Sequence, residues 1–568
     1  MFNKVSPSFM RDALSGKISR REILGIGLQS GIATPLIILL MNQAPEASAS
    51  SGIATRQIPT SAQESGGTFT AIVEDGSPDI DPHSTYVTIG SVFCLACYEM
   101  LIQYKGDSTS EFAPMLAESW EASADNATFT FKIPSNALFH DSTPCDADAV
   151  KASFVRFRRL ELGPYLVLSR FCDNPEEQIE VVDATTVRFN LGTPQPLFLS
   201  AMASCYGPYV VSPSAVEANK TDDDPWAHEF FLTEAVGTGP YRLVENLLKE
   251  QIVFERFPEY HGGWDGNHFD QVVFRPVPEN STRRQLIEQG AGDAITIALT
   301  PEDFDALGQI PTLQSLTYAS TRVDWAILNA VTLSKEARQG LCYAFPYQEV
   351  LDGAYKGRLT RSGPISTTTR GYDPNVFLYP TDLAKAKELL TAGGINEGDS
   401  LEYMIVAETE IDKTISQLFQ ASLSQIGINL EITTVDSATI NDLIYGDSPG
   451  EERPAIIGSW AWFPDYNDPW NQLAPNFLAE ASGGGGSNSG YWVNTRFEEI
   501  MAYTKNYTDE NQMLELMKEA QNIVTEQDPA CIFFGERRYT TVLQSNIQGF
   551  VPNPIYLEAY NLHQMSRS

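Results

Sequence analysis

Helix-like and strand-like segments alternate along the second half of the chain, and this alternation constrains the fold more than any other feature. Helical patterns occur at Lys335–Phe345, Thr381–Ala392, Asp412–Gln425 and Asp509–Gln527. Strand patterns lie between them at Leu401–Ile405, Asn429–Thr433 and Ala455–Gly458. Such alternation favours α/β layering. The chain of 568 residues is too long for one hydrophobic core, so we expect two or three domains.

The first half of the chain carries a different mixture, in which strand patterns predominate. Strands are predicted at Thr68–Val73, Phe129–Ile133, Thr186–Asn190, Val253–Arg256, Gln271–Arg275 and Asp293–Ala298. Helices are predicted at Ile89–Leu101, Asp146–Arg159 and Ser281–Gly290. Two further strands are predicted near the end of the chain, at Ala530–Phe534 and Thr541–Leu543.

The first 49 residues have the pattern of an export signal. Arg20 and Arg21 precede an apolar run from Ile23 to Met41, and Ala47-Ser48-Ala49 is a small-residue cleavage site. These features predict a twin-arginine signal peptide at residues 1–49, cleaved near Ala49, and therefore export to the periplasm. The alternative is an uncleaved membrane anchor, because the run is about long enough to span a bilayer. Residues 50–65 are small and polar and predict a disordered lead-in.

The charge balance excludes some classes of partner. The chain carries 38 Lys and Arg residues against 73 Asp and Glu residues, a formal net charge of −35. Such an excess of negative charge argues against nucleic acid and against anionic membrane surfaces as partners. No apolar run of spanning length follows residue 49, so we expect the mature protein to be soluble.

The cysteines and histidines do not predict a metal site or a redox site. Cys94 and Cys97 have redox or metal spacing, but they lie in an apolar, helix-like stretch without a second cysteine pair. We therefore expect them to be buried packing residues, and we predict neither a metal nor a cofactor. Cys172 and Cys205 are candidates for a disulfide after export, and the sequence leaves that question open.

One motif matches a catalytic pattern by its letters only. Gly446-Asp-Ser448-Pro-Gly450 fits the G-x-S-x-G pattern of a nucleophile elbow, which requires a strand before the serine and a helix after it. Here the serine follows a helix-like segment, and Pro449 and Pro454 argue against a helix after it. Ser448 is therefore predicted to be a surface loop residue. The Gly483–Gly486 run is predicted to be a flexible loop.

The segment from Trp460 to Trp470 is the best candidate for a binding site. It follows a strand-like run and concentrates aromatic residues around Asp465 and Asp468. Ligands of α/β sheets bind beyond the carboxyl ends of the strands, and aromatic walls with a few charges are typical of small-ligand clefts. A buried tryptophan pair with a solvated turn explains the same residues equally well.

A series of short strings, in the same order along residues 66–555, resembles the extracellular solute-binding proteins of ABC importers. That family includes oligopeptide-, dipeptide- and nickel-binding members. The matching strings are Gly66–Thr70, Asp79–Pro82, Tyr98–Leu101, Leu116–Trp120, Phe139–Pro144, Val236–Tyr241, Lys335–Phe345, Leu383–Leu390 and Asn546–Phe550. Gly237 and Gly239, within one of these strings, are expected to allow a tight turn.

The resemblance implies a two-lobed periplasmic-binding-protein fold of α/β class, with two hinge crossovers and an extra subdomain in the first lobe. The chain is expected to cross near Asp293–Ala298 and to return near Ala530–Arg538. The first part of lobe I is predicted at residues 66–297, with an inserted subdomain at 108–235. Lobe II is predicted at 298–536, and the return to lobe I at 537–568.

The resemblance also implies where a solute is bound. Asp465 resembles by position the carboxylate that pairs with a ligand's α-ammonium in peptide-binding relatives, and Trp460, Trp462 and Phe463 are expected to pack against the ligand. Dipeptide-type relatives have a carboxylate-binding arginine near residue 405, where this chain has Glu408 and Glu410 instead. Two acids there, together with Asp465, hint at a cationic or polyol ligand. Arg322 or Arg370 is expected to supply the positive charge, and the remaining candidate ligand-binding residues are Tyr466 and Asn329.

The expected function is that of an exported, monomeric binding protein that performs no chemistry. It would trap a peptide, or a sugar or opine-like solute, between its lobes and deliver it to the permease subunits of an ABC importer in the inner membrane. The alternatives are an exported hydrolase and a solute sensor or chaperone on the same fold, and the sequence does not separate the sensor from the import receptor.

The export prediction is tested by mass spectrometry of the mature protein. Cleavage by signal peptidase predicts an N-terminus immediately after Ala49. An intact Met1 on the exported protein would contradict the prediction and would favour the membrane anchor.

Overall fold

The computed structural model describes residues 66–407, 409–483 and 486–568. The predicted export signal, the lead-in and Glu408 lie outside the described residues. Within the described ranges, no helix has both the length and the apolar character needed to cross a membrane.

The strands, numbered in chain order, lie mostly where the sequence predicts them. They are β1 Thr68–Val73, β2 Ile102–Tyr104, β3 Phe112–Pro114, β4 Ser119–Ala122, β5 Thr128–Lys132, β6 Ile179–Asp183, β7 Thr186–Asn190, β8 Tyr241–Leu247, β9 Gln251–Arg256, β10 Gln271–Pro276, β11 Ala294–Thr296, β12 Leu313–Leu328, β13 Leu359–Thr360, β14 Ser400–Val406, β15 Asn429–Val435, β16 Ile456–Trp462, β17 Cys531–Gln544, β18 Ile547–Gln548 and β19 Ser566–Arg567.

The α-helices are concentrated between these strands. They are α1 Thr88–Cys97, α2 Ala147–Leu160, α3 Tyr165–Ser169, α4 Pro175–Gln178, α5 Phe198–Met202, α6 Pro213–Asn219, α7 His228–Phe231, α8 Asn280–Glu288, α9 Pro301–Leu307, α10 Lys335–Ala344, α11 Tyr347–Val350, α12 Leu383–Ala392, α13 Glu410–Ser424, α14 Ser437–Tyr445, α15 Pro469–Phe477, α16 Thr495–Thr504 and α17 Glu510–Asn522. Several begin at side-chain caps that the sequence displays, such as Asp146, whose carboxylate accepts a hydrogen bond from the backbone N–H of Ala149 at the start of α2.

One mixed sheet runs through most of the molecule, in the order β15-β14-β16-β12-β17-β11-β1-β10-β9-β8, with β13 paired to β17. In the part that we call the first half, β1 is parallel to both β10 and β11. In the second half, β14 is parallel to both β15 and β16. A separate four-stranded sheet, β4-β5-β7-β6, lies within the predicted insert at 108–235. The domain boundaries given above remain predictions.

Two long strands connect the halves. β12 and β17 pair antiparallel from Leu313 opposite Gln544 to Ile327 opposite Cys531, and the pairing is interrupted by register shifts after Ala319 and Asp324. β17 also pairs with β11 of the first half, and β12 also pairs with β16 of the second half. The outgoing crossing therefore lies in β12. The segment expected to cross, Asp293–Ala298, contains only the three-residue β11, which pairs with β1 and β17.

Aromatic side chains fill the core of each half. In the second half the ring of Phe345 is stacked on Phe534, with centroids 4.9 Å apart, and lies 5.1 Å from Phe419. In the first half Phe93 packs 5.0 Å from Phe274. Each such side chain is buried and stabilises the fold by about 1.5–3 kcal/mol relative to an exposed one. These side chains belong to different buried clusters, whereas a third cluster extends from the insert into the second half and includes Phe171 and Tyr466.

All seven cysteines are buried free thiols. Cys94 and Cys97 lie on the buried face of α1, as the apolar context predicts. Cys172 and Cys205 are likewise unpaired and buried, so the disulfide that the sequence left open is not formed in this structure. Within the described ranges, no group of three or more His, Cys, Asp or Glu residues is arranged to hold a metal ion.

Gly237 is required by close approach, not by the backbone conformation of a turn. A Cβ atom there would lie 2.2 Å from the carbonyl oxygen of Cys97 at the end of α1, and one at Gly239 would lie 2.7 Å from the carbonyl carbon. Neither glycine has a positive φ. The backbone of this segment packs directly against α1, and its position depends on the missing side chains.

We expect Gly237→Ala to lower the free energy of unfolding by about 1–3 kcal/mol, because the added methyl group overlaps backbone atoms that have no room to move. Urea denaturation followed by tryptophan fluorescence measures the change. Gly308→Ala is the control, since Gly308 has a φ of −63° and its nearest neighbour to a new Cβ lies 3.4 Å away. Equal stability of the two variants would contradict the packing argument.

Candidate functional site

The carboxyl ends of strands from both halves open onto one cavity. β1 ends at Val73 and β11 ends at Thr296 in the first half, and Ser437 follows the end of β15 in the second half. These residues line a cavity of about 610 Å³. Its walls consist of Ile72, Val73, Glu74, Asp75, Thr88, Ile89, Val92, Thr296, Ile297, Ala298, Ser437, Arg537, Glu558 and Tyr560. Parallel strands place their ligands at this end, so the cavity lies where a solute is expected.

Strand β16 presents the predicted aromatic residues, and a capped turn positions Asp465 beyond it. Trp460 and Trp462 belong to the strand itself, which is longer than the sequence indicates. The side chain of Asp468 caps α15 by accepting a hydrogen bond from the N–H of Trp470. The side-chain oxygen of Asn471, one residue further on, accepts a 2.6 Å hydrogen bond from the backbone N–H of Asp465. The turn therefore fixes the direction of the Asp465 carboxylate.

The carboxylate of Asp465 forms a hydrogen bond that links the two halves. It accepts a 2.7 Å hydrogen bond from the hydroxyl of Tyr86, just before α1, and a weaker one from the side-chain amide of Asn471. Asp465 is only 7% exposed. Burial raises the pKa of its carboxyl to about 6, although both hydrogen bonds act in the opposite direction. A carboxylate has about four acceptor sites, so two remain for a further donor.

The aromatic residues near Asp465 also contact both halves. Phe463 stacks on Tyr206 with ring centroids 6.3 Å apart, and Tyr206 packs edge-on against Tyr86 at 5.1 Å. The hydroxyl of the buried Tyr466 accepts a 3.1 Å hydrogen bond from Arg170. These contacts join β16 and its turn to the first half and its insert.

The two tryptophans of β16 differ in the hydrogen bonding of their indole N–H groups. The indole N–H of Trp462 donates to the carbonyl of Asn471. The indole nitrogen of Trp460 is buried and has no hydrogen-bond partner within the described part of the chain, and its ring packs edge-on against Tyr445 at 5.8 Å. An unused buried donor costs free energy unless another group satisfies it.

Three of the other predicted residues lie outside this cluster. Asn329 is buried at the far end of the β12–β16 pair, where its amide donates to the carbonyls of Gly450, Arg453 and Pro454. Glu410 begins α13 and forms a surface ion pair with Lys413. Arg370 is paired with Glu510 and lies over the ring of Tyr507. The structure therefore gives each of these three residues a local partner.

The other candidate arginine, Arg322, is also held by a neighbour, because its Nε donates a 2.6 Å hydrogen bond to Asp324. Three residues that the sequence analysis did not select contribute instead. Tyr86 covers Asp465, and Arg537 and Glu558 line the cavity. No local motif marks any of these three residues. They lie in distant segments of the chain, and the fold alone brings those segments together.

The structure places Ser448 in the predicted loop. α14 ends at Tyr445 before it, and a three-residue 3-10 turn, Gly450–Glu452, follows it. The strand–turn–helix geometry of a nucleophile elbow is therefore not formed at this motif. Within the described residues, the Ser448 hydroxyl is buried without a hydrogen-bond partner, so it has no base beside it.

Known proteins with similar sequences cover most of this chain. The family model of the bacterial extracellular solute-binding proteins, family 5 (middle region), matches residues 111–484, more than half of the chain. The probable D,D-dipeptide-binding periplasmic protein DdpA of Escherichia coli K12 is 28% identical over 480 residues, covering 83% of this chain and 88% of that protein. Heme-binding protein A of Haemophilus influenzae is 27% identical, covering 82% and 86% of the two chains.

A solved structure shows the same architecture. The dipeptide binding protein from Pseudoalteromonas sp. SM9913, in complex with Met-Leu, superimposes with a TM-score of 0.73 at 22% identity, covering 88% of this chain and all of the other. The expected two-lobed α/β fold is therefore confirmed. The first and second halves described above correspond to its lobes, and the 610 Å³ cavity lies between them.

The Tyr86–Asp465 hydrogen bond predicts a pH-dependent effect of Tyr86→Phe. Since the pKa of Asp465 is about 6 when folded, above its ordinary value of 3.8, the contribution of this carboxyl to stability is largest below about pH 4 and is lost as the pH rises towards 6. Losing the tyrosine hydroxyl raises the pKa of Asp465 further. We expect a loss of about 1.5–3 kcal/mol at pH 7.5, where the carboxylate is charged, and a smaller loss at pH 4.5.

Chemical denaturation at the two pH values measures this difference. Tyr503→Phe is the control, because Tyr503 is exposed to the same degree, 38%, and its hydroxyl donates to the neutral side chain of Gln512. A loss for Tyr86→Phe that is equal at both pH values would contradict the assignment.

Proposed function

This chain belongs to family 5 of the bacterial extracellular solute-binding proteins, and we propose that it captures a peptide between its two lobes and delivers it to an ABC permease. The observation that carries the proposal is the cavity of about 610 Å³ at the carboxyl ends of strands from both lobes. A cavity of this size suits a small molecule, and its wall consists of lobe I residues with Arg537 of the crossing strand and Ser437 of lobe II. The solute is released unaltered, so the protein is a carrier and not an enzyme.

Support for a peptide comes from the relatives. DdpA is described as a probable D,D-dipeptide-binding protein, and the Pseudoalteromonas protein holds Met-Leu. Heme-binding protein A carries a different name, so the family does not prescribe one solute. The side chains of the present cavity therefore determine which solute is bound. A peptide offers the charged ends and amide groups that the polar wall residues can bind.

The interlobe contacts support a mechanism of closure around the solute. Besides Tyr86–Asp465, the side chain of Asn467 in lobe II donates to the backbone carbonyl of Thr109, and its backbone N–H donates to the hydroxyl of Tyr104. A few such hydrogen bonds form only when the lobes meet, and a bound solute adds to them. Rotation at the irregular positions of β12 and β17 would then give the permease a closed shape to recognise.

Asp465 is not among the wall residues of this cavity, and we assign it to the ligand's ammonium group because it meets Tyr86 at the contact between the lobes. Its carboxylate is buried and rigidly held, and it has unused acceptor sites. A charge pair in such an environment is strengthened by the low local dielectric. Trp460, with its unsatisfied indole N–H, and Phe463 are the aromatic residues that we expect to contact the solute.

The cellular setting is part of the same proposal. The predicted twin-arginine signal would export the protein to the periplasm, where it would act as a monomer with the permease subunits of the inner membrane. Export through that route is compatible with a protein that folds before it crosses the membrane, and the described residues of both lobes form a single compact unit.

Native mass spectrometry of the purified protein tests the proposal directly, because a trapped solute would add its mass. Isothermal titration with a panel of dipeptides and tripeptides then gives affinities. Saturable peptide binding without hydrolysis supports the proposal. Turnover of peptide, ester or glycoside substrates that is abolished by Ser448→Ala would instead establish the alternative of an exported hydrolase.

We expect Asp465→Asn to weaken the binding of peptides with a free amino terminus by about 2–5 kcal/mol, because the ammonium loses its charged partner in a buried site. Calorimetry with matched free and N-acetylated peptides measures the effect. Asp442→Asn, at an exposed position of α14, is the control and should leave the affinity unchanged. Equal affinity of wild type and Asp465→Asn for free peptides would refute the role of Asp465.

A further inference from the structure

The lobes also meet away from the cavity, where the insert touches the turn and helix that follow β16. Arg170, directly after α3 of the insert, lies over the ring of Trp470 at the start of α15 in lobe II. The guanidinium carbon is 4.5 Å from the centroid of that ring. Neither residue is among the wall residues of the 610 Å³ cavity, so this contact joins the lobes without facing the solute.

Lobe II holds this guanidinium by hydrogen bonds as well as by the aromatic ring. Nη1 of Arg170 donates to the hydroxyl of Tyr466 at 3.1 Å, and Nη2 donates to the backbone carbonyl of Lys505. The ring of Phe171, the next residue of the insert, lies 4.7 Å from the same guanidinium and packs edge-on against Tyr466 at 6.0 Å. Arginine combines stacking on aromatic rings with directed N–H donors, and here both act across the lobe boundary.

The slot that receives Arg170 is built by lobe II alone. The indole N–H of Trp470 donates to the carbonyl of Met501 at 3.0 Å, and its backbone N–H donates to the carboxylate of Asp468 at 2.8 Å. The ammonium of Lys505 lies 5.8 Å from the centroid of the same ring. These contacts do not involve the insert, so the ring and the carbonyl that bind Arg170 keep their positions when the lobes separate.

The charge of Arg170 also matters to a buried acid of lobe II. Asp468 is 1% exposed, and within the described ranges its Oδ2 has no hydrogen-bond partner. Burial raises the pKa of this carboxyl, whereas the positive charges of Arg170 and Arg370 act in the opposite direction. Arg370 belongs to lobe II and Arg170 to the insert. Closure of the lobes therefore brings a second cation towards a desolvated carboxylate.

The net strength of the contact is moderate. The Nε of Arg170 is buried, and among the described residues no acceptor binds it, which costs free energy when the lobes meet. That cost offsets part of what the ring and the two hydrogen bonds contribute. A contact of moderate strength biases the equilibrium between open and closed lobes and still allows them to reopen.

We propose that Arg170 is a positioning residue that holds the lobes closed from outside the cavity and so slows the release of a captured solute without touching it. This role rests on the proposed function, because it depends on closure around a solute. The guanidinium and its slot belong to different lobes, so the contact forms only in the closed arrangement. It favours closure whichever solute is bound, and it does so in the solute-free protein as well.

The first experiment measures closure of the full mature protein without solute, by the distance between two spin labels. Glu177→Cys in α4 of the insert and Asn511→Cys in α17 of lobe II are exposed labelling sites. The native cysteines are buried, so the labels attach to the introduced thiols. We expect Arg170→Ala to lower the ratio of closed to open molecules by about tenfold, as loss of a partly desolvated cation–π contact predicts.

The second experiment measures solute exchange by stopped-flow tryptophan fluorescence. The probe is Met-Leu, the dipeptide in the Pseudoalteromonas structure. We expect Arg170→Ala to release it about tenfold faster, while the association rate stays nearly unchanged, because the open lobes that capture the dipeptide lack the contact. Arg170→Lys keeps the charge without the planar group, and we expect intermediate values from it in both experiments.

Two cation–π contacts that stay within one lobe provide matched controls. Lys505 lies over the same ring as Arg170 but from lobe II, and Lys505→Ala keeps the backbone carbonyl that binds the guanidinium. Arg158 lies 5.6 Å from the ring of Tyr165, with both residues in the insert. Lys505→Ala and Arg158→Ala should therefore leave the closed-to-open ratio and the release rate unchanged.

The outcomes separate the role of Arg170 from the function on which it rests. An unchanged ratio in Arg170→Ala, an equal effect of Lys505→Ala, or the lack of any closed population in the solute-free protein would overturn the role of Arg170. If Arg170→Ala does not fold, a wild-type ratio in Arg170→Lys would do the same. Failure of Met-Leu to bind, together with the expected loss of closure, would count against peptide capture and leave the role of Arg170 intact.

Discussion

The antiparallel pairing of β12 with β17 holds the two lobes together in one sheet. These two strands are the continuous backbone path between the lobes, and each is also hydrogen-bonded to a strand of one lobe. Each lobe has a buried aromatic cluster of its own, and a further cluster joins the insert to the second lobe. The register shifts in the middle of the pair interrupt the ladder between the two cores, where bending costs least.

This arrangement explains why polar chemistry gathers between the lobes. The shared sheet directs the carboxyl ends of the parallel strands of both lobes towards the same space, and those ends are where side chains and helix starts are free to bind a solute. Asp465 lies beyond β16, Ser437 beyond β15 and Glu74 beyond β1. When the lobes meet, water is excluded from the carboxylate of Asp465, which is only 7% exposed. The raised pKa of Asp465 is one consequence, and a bound cation or hydrogen-bond donor would relieve that cost.

The many acidic residues on the surface have a different role from the few acidic residues of the cleft. Most carboxylates lie on the surface, where they keep the protein apart from other anions. Glu410, chosen from the sequence as a ligand contact, is of this kind, since it pairs with Lys413 on an exposed helix start. Asp465 and Glu558 are set apart by burial, which is a property of the fold and not of the residue type. A local sequence pattern therefore identifies candidate acids without ranking them.

Local sequence patterns were enough to predict most of the helices and strands and the α/β class of the fold. Strands such as Thr68–Val73 and Thr186–Asn190 were predicted to the residue, because their apolar pattern and turn boundaries are local signals. The outgoing strand β12 was not predicted, since polar residues, several of them buried, interrupt its apolar pattern, and its stability comes from pairing with β17 more than 200 residues away. Only the tertiary structure brought Tyr86, Arg537 and Glu558 to the cleft and removed Asn329 from it. Long-range strand register decides such placements, and register depends on contacts that no single segment contains.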